Sequence, residues 1–262
     1  MGRPSSGYYR EGDKRTPRNR KASVTTVLKL WGDKGGLLYW ANEQGLEGKN
    51  LQEARETTGV HAGNQAHAWV EADLNGQPGA MVTTMSDNLS DEDLVAARAG
   101  FQAYEDWKAG LRGFRALETE LPLVHPTLDY GGTLDCVAAI MRPPRTGDQT
   151  PRQTTSRGMG ARPWADQQVL ILADWKLTGG TYAEHVYQGA AYLNLYEATH
   201  PGERIEEFHA LRFGKPTKDG LSKGGDFHHH RFTRAQMDVA FEAFVHILEA
   251  YKINKSVERW VR

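Results

Sequence analysis

The chain holds a single cysteine, Cys136, in 262 residues. That excludes an internal disulfide framework and any zinc or iron–sulfur site built on several thiolates. A lone cysteine of this kind reads as a small buried hydrophobe in a reducing compartment. Long hydrophobic runs are missing too, and none approaches the roughly 20 residues needed to cross a bilayer. The N-terminus, MGRPSSGYYREGDKRTPRNRK, lacks the apolar stretch of a secretory signal. Arg3 and Pro4 directly after Met1-Gly2 argue against myristoylation. These absences point to a cytoplasmic chain with no membrane partner. A large net charge is also lacking, since 32 Lys/Arg against 33 Asp/Glu leave −1. What remains, 39% hydrophobic and 25% charged residues, is the composition of an ordinary globule with length enough for a sizeable core.

The neutral sum hides two basic segments. Residues 1–22 carry seven Lys/Arg against two acids, and 142–163 carry five Arg against one Asp. Such blocks are usually solvated, and they suit polyanions. Residues 1–22 read as a basic flexible arm, 23–262 as a single domain, and 142–163 as a long Arg-rich loop within it.

Along that domain the pattern begins helical. SVTTVLKLWGDKGGLLYWANEQG predicts a short strand or turn and then an amphipathic helix burying Trp31, Leu37, Leu38 and Trp40. Helices are predicted over 50–59 and 64–74. The strongest follows Ser90, which can cap it with Asp93, and repeats Leu94, Ala97, Phe101, Tyr104 and Trp107 at helical spacing. Alternating strands come next, ETELPLVH and GGTLDCVAAIM, then the loop, then the apolar strand VLILADWK. A helix over 181–200, a strand over 204–213, a Gly/Lys loop over 214–226 and a helix capped by Thr233 complete the chain. The order predicts an α/β fold, a mixed central sheet flanked by helices with an N-terminal helical part.

One detail in the apolar strand stands out. Asp174 and Lys176 point to the same face because side chains alternate along a strand, while Trp175 points to the other. An ion pair at a strand end would account for that much. Asp135, however, ends GGTLD in the preceding strand. If the two strands are neighbours, two carboxylates meet at one corner and repel, which raises a pKa and does nothing for stability. A hard divalent cation between them would resolve the conflict.

At these residues the chain resembles the PD-(D/E)XK nucleases, within them the RecB-like and phage-type exonucleases related to the nuclease of CRISPR adaptation. The family's GxxD and (D/E)xK strand motifs match Gly132-Thr133-Leu134-Asp135 and Asp174-Trp175-Lys176. The subgroup's QxxxY helix matches Gln188 to Tyr192, and its GxxxHxxxE helix matches Gly63 to Glu71 through His67. Each motif alone is weak; four in the right order on the right elements are specific. The resemblance covers about residues 22–200. It implies a restriction-endonuclease-like core and a metal-dependent deoxyribonuclease using Mg2+ or Mn2+. Asp135, Asp174 and the carbonyl of Trp175 would bind the metal, with His67 as an additional ligand. Lys176 would act on the attacking water, and Glu120, Gln188 and Tyr192 would support the site, Glu118 competing with Glu120 for its place and Glu71 staying at the periphery. The iron–sulfur branch is excluded by its missing cysteines. The implied partner is DNA, as duplex ends or single strands, in the cytoplasm of a phage host or bacterium. A recombination or helicase partner and an oligomer are compatible with it. The implied activity is exonucleolytic, in recombination or DNA processing; a resolvase-type endonuclease and a catalytically silent DNA-binding scaffold are the alternatives.

Other motifs carry less. His228-His229-His230 cannot share one ion, because adjacent strand residues face opposite sides. Gly220 to Gly224 spells GxSxG but lacks the strand before and the helix after that a nucleophile elbow needs. Gly214-Lys215 has no upstream glycine at the P-loop position, which is His209. ATP-driven unwinding would therefore need another protein.

Overall fold

The computed structural model describes residues 8–10, 20–31, 35–50, 60–77, 89–143, 167–177, 180–213 and 227–261. The chain is α/β, with a mixed open sheet of seven strands flanked by helices. In chain order the elements are β1 (Tyr8–Arg10), β2 (Arg20–Ser23), α1 (Val24–Leu28), α2 (Gly35–Leu46), α3 (Val60–Leu74), α4 (Asp91–Ala109), β3 (Arg115–Val124) and β4 (Tyr130–Arg142). Then follow β5 (Gln167–Leu177), α5 (Ala183–Thr199), β6 (Ile205–Phe213), β7 (His228–Thr233) and α6 (Arg234–Trp260). Among the described residues no helix is long and apolar enough to cross a membrane.

Strand β4 is the axis of the sheet, buried on both faces over most of its length. One edge pairs antiparallel with β3. The other is shared: β2 takes Tyr130 and Gly131 in parallel, while β5 takes Cys136 to Arg142 antiparallel. Beyond Cys136 and Ala173 the ladder of β4 and β5 ends, although β5 stays paired with parallel β6 through Leu177 and Phe213. The sheet therefore opens at Gly132–Asp135, between the end of β2 and the end of the β5 ladder.

Two layers cover the sheet, and strand alternation sorts residues between them. On one face α1, α5 and α6 pack on Val137, Leu172, Phe208 and Ala210. On the other α3 and α4 pack on Cys136, Ile171, Ala173, Trp175 and Leu211, with Val70, Tyr104 and Trp107 facing in. Helix α4 starts as the sequence requires, with a Ser90–Asp93 capping box and Asp91, Glu92 and Asp93 in the first turn, where carboxylates favour the helix dipole. Asp73 ties α3 to α4, accepting from the Tyr104 hydroxyl at 2.6 Å and pairing with Lys108.

Three expectations change. The basic arm is not uniformly irregular, since Tyr8–Arg10 and Arg20–Ser23 pair as strands and β2 joins β4. Backbone pairing at the open end of β4 needs no apolar side chains, so composition did not signal it. Trp31 and Leu38 are exposed, and no described residue of α2 joins a core cluster. Strand β7 is an addition the sequence did not announce. The expected helix over 50–59 and most of the Arg-rich loop lie outside the described residues.

Candidate active site

The site assembles where β4 and β5 part. The pairing of Cys136 with Ala173, continued by one residue, sets Asp135 opposite Asp174. Both carboxylates are buried, at 4% and 1% exposure. With the ladder ended, the backbone N–H of Trp175 donates instead to Asp135 Oδ2 at 3.3 Å. The Lys176 ammonium donates to Asp174 Oδ1 at 2.8 Å, which leaves Asp174 Oδ2 buried with no hydrogen-bond partner. Burial raises the Asp174 carboxyl to about 7; Lys176 pulls it back and the neighbouring Asp135 pushes it up. A buried carboxylate facing another, with an oxygen left over, is costly for a fold to keep.

A further acid stands on β3. A bulge between Ala116 and Glu118 shifts the β3 register by one residue, so that Thr119 faces Cys136 and Leu121 faces Leu134. Glu120 is thereby placed opposite Asp135; without the extra residue it would face Leu134. Its φ of +45° is left-handed, a conformation costly for a residue with a side chain. Glu118 pairs with Val137 and is exposed, so the bulge selects Glu120 for the position beside Asp135.

Helix α5 brings the next pair. Gln188 Nε2 donates to the Tyr192 hydroxyl at 3.1 Å. The Tyr192 ring lies on Gly132, where a Cβ would come within 2.3 Å of Tyr192 Cε1. The glycine of one motif is thus the seat for the tyrosine of another, three residues before Asp135. Gly189, next along α5, makes the same close approach to Phe208 on β6.

His67 is placed differently. It stands on α3, which packs against the Trp175 face, whereas Asp174 and Lys176 share the face of Leu172 and α5. Among the described residues no group of three or more His, Cys, Asp or Glu side chains is arranged as a metal cage. Glu71 is exposed. The Trp175 ring is buried against Tyr104 and Trp107, which leaves its backbone as the part of the residue that reaches Asp135.

Two residues join the site that sequence reasoning missed. Arg212 on β6 is buried and lies beside Lys176 in the parallel register. His185 sits in the first turn of α5, its Nδ1 accepting from the Tyr182 N–H at 3.2 Å; burial and the charge of Lys176 hold it down at about 4. Its signal was available, because 185, 188 and 192 share one helical stripe. Arg212 was signalled only by a charge at the end of an apolar strand.

Compared with known proteins, the chain matches no family model and no curated sequence. The residues must carry the functional reading themselves.

Proposed function

We propose that the protein is a metal-dependent nuclease of the PD-(D/E)XK type, hydrolysing phosphodiester bonds of DNA as an exonuclease in phage-type recombination or DNA processing. The observation that carries this reading is the buried Asp174 carboxylate, opposite Asp135 and beside Lys176. Such a pair suits a hard divalent cation, Mg2+ or Mn2+, better than a soft one, because its donors are oxygens. Asp135, Asp174 and the carbonyl of Trp175 would hold the ion, whereas His67 stands on the helix that covers the opposite face. When bound, such an ion supplies charge neutralisation at the phosphate and lowers the pKa of an attacking water.

The chain's own residues have distinct tasks in this reading. Lys176 orients the water; once its ammonium has given a proton to solvent, the neutral amine can take the proton of the water. Glu120, held in its unusual backbone conformation, adds a carboxylate beside Asp135. Tyr192 and Gln188 fix the Gly132 backbone and so the reach of Asp135. The test is incubation with end-labelled linear duplex and single strands under Mg2+ or Mn2+. Cleavage of linear DNA that spares a closed circle identifies an exonuclease, and cleavage of the circle an endonuclease. DNA binding that is indifferent to metal, with no cutting by wild type under any condition, refutes the proposal.

A further inference from the structure

A second constellation lies on the other face of the sheet. Asp106 and Trp107 of α4, Gly110 and Leu111 just after it, Arg142 at the end of β4, and Phe227, His229 and Arg231 around β7 line a pocket of about 400 Å3. That volume is in the range of small-molecule sites. Arg142 lies seven residues along β4 from Asp135, about 23 Å at roughly 3.3 Å per residue. The pocket and the carboxylate site are therefore separate.

Two of its buried nitrogen donors lack a partner. Trp107 is buried, yet its Nε1 has no hydrogen-bond partner, and neither has the buried Nε of Arg142. Behind them Glu207, 2% exposed, fixes the cationic wall: it pairs with Arg142 at 2.5 Å, accepts from His209 Nε2 at 3.1 Å and lies 3.6 Å from Arg231 Nε. Burial alone would raise the Glu207 carboxyl, but the His209 and Arg142 hydrogen bonds hold it near 2. His209 therefore donates through Nε2, and its buried Nδ1 is a bare acceptor without a partner. The ring of His229 lies 4.8 Å from that of His209 and 6.2 Å from Trp107; partial desolvation against these rings and the nearby charges of Arg231 and Arg142 lower its pKa. Both imidazoles are thus neutral at pH 7, and the positive charge of the lining belongs to Arg142 and Arg231, which share the single Glu207 carboxylate and have further N–H groups beyond that contact. Asp106 is the acid of the lining, and Gln102 Nε2 donates to it at 3.1 Å.

Unmatched N–H donors beside two guanidinium groups call for an oxyanion, since buried donors left unpaired are expensive and arginine matches phosphate oxygens with paired N–H groups. The rings of Trp107, His229 and Phe227 add aromatic walls that suit a base or sugar. We infer that this pocket binds a phosphate monoester, either of a free mononucleotide or of a nucleic-acid end.

Calorimetry in EDTA tests it, with inorganic phosphate, a deoxynucleoside 5′-monophosphate, and short single strands of one sequence bearing a 5′-phosphate or a 5′-hydroxyl. Wild type should bind the monophosphate, and Arg231→Gln should weaken it tenfold or more. The arginine is partly exposed, and Glu207 keeps Arg142 and His209, so this variant retains its fold. Trp107→Phe, which keeps a ring and removes the N–H, should weaken binding several-fold, and Asp106→Asn should tighten it. Tighter binding of the 5′-phosphorylated strand than of the 5′-hydroxyl strand identifies a nucleic-acid end, while preference for the mononucleotide identifies a free nucleotide. Absence of binding by every phosphate probe at millimolar concentration overturns the inference. So does unchanged binding in both Arg231→Gln and Trp107→Phe. None of these readouts depends on cleavage, so failure here leaves the nuclease proposal standing and the reverse also holds.

Discussion

Asp174→Asn should make the metal-free protein more stable while abolishing cleavage. The wild-type carboxyl is raised from 3.8 to about 7, chiefly by burial. A carboxyl with a folded pKa above its unfolded value binds its proton more tightly in the native state. Its ionisation therefore costs nothing below about pH 4, costs progressively more as pH rises towards 7, and costs the full amount above that. Three pKa units at 1.36 kcal/mol each give about 4 kcal/mol as an upper limit. The Asn carbonyl can still accept from Lys176, and its new N–H group has the Asp135 carboxylate opposite. Some gain is lost because Lys176 no longer faces a charge, so about 2–4 kcal/mol at pH 8 is expected, or a rise in Tm of roughly 5–10 °C for a chain of this size. Chemical denaturation in EDTA at pH 5 and pH 8 measures it: the variant's advantage should appear at pH 8 and shrink at pH 5. An Asn variant no more stable than wild type at pH 8, or an advantage equal at both values, refutes the reasoning. Saturating Mg2+ should narrow the gap by stabilising wild type, as any ligand confined to the native state does.

Other substitutions probe the neighbours. Gly132→Ala puts a methyl into the Tyr192 ring, and overpacking of this kind should cost about 1–3 kcal/mol by urea denaturation; Tyr192→Leu in the same background should recover part of it. Glu120→Gly removes the strained side chain at φ +45° and should change stability by no more than about 1 kcal/mol, because relief of strain is offset by glycine's entropy, while cleavage falls at least tenfold. Lys176→Arg should rescue cleavage poorly, since a guanidinium stays protonated and cannot take a proton from water; full activity would leave the lysine a purely electrostatic role. Glu207, held near 2, should contribute stability that is present above about pH 5 and is lost as pH falls towards 2, and Glu207→Gln should flatten that acid limb in an equilibrium titration.

What the sequence could show depended on how each feature is encoded. The meeting of Asp135 and Asp174 was legible because it rests on residue type and strand order, which motifs record. The α4 cap and its buried stripe were legible because periodicity and capping are local. Strand β7 was hidden because His228 to Arg231 are exposed and polar, leaving no apolar alternation to read. The role of Glu120 was half visible: its identity stood in the sequence, but its place opposite Asp135 comes from a bulge at residues 116–118 that no turn-forming residue marks. Arg212 needed the parallel register of β5 on β6, which is long-range information. Arg142 had been grouped with the loop arginines; it is instead the last residue of β4 and faces inward to Glu207. The exposure of Trp31 and Leu38 shows the limit of periodicity, which says which residues share a stripe but not whether anything covers it.

The early end of the β4–β5 ladder has a consequence for how this protein can change. Past Ala173 the residues that hold Asp174 and Lys176 in place along the sheet belong to β6, and β6 is hemmed on its far edge by β7, which runs directly into α6. The end of β5 that carries Asp174 and Lys176 is thus propped from the C-terminal side, by a part of the chain that carries none of the recognisable motifs. Drift in residues 205–260 would move the lysine without touching a motif residue. A chimera that grafts the motif-bearing segment onto a foreign C-terminus would keep every signature and lose alignment of the site. In such a scaffold the least distinctive sequence is bound to co-evolve with the most distinctive.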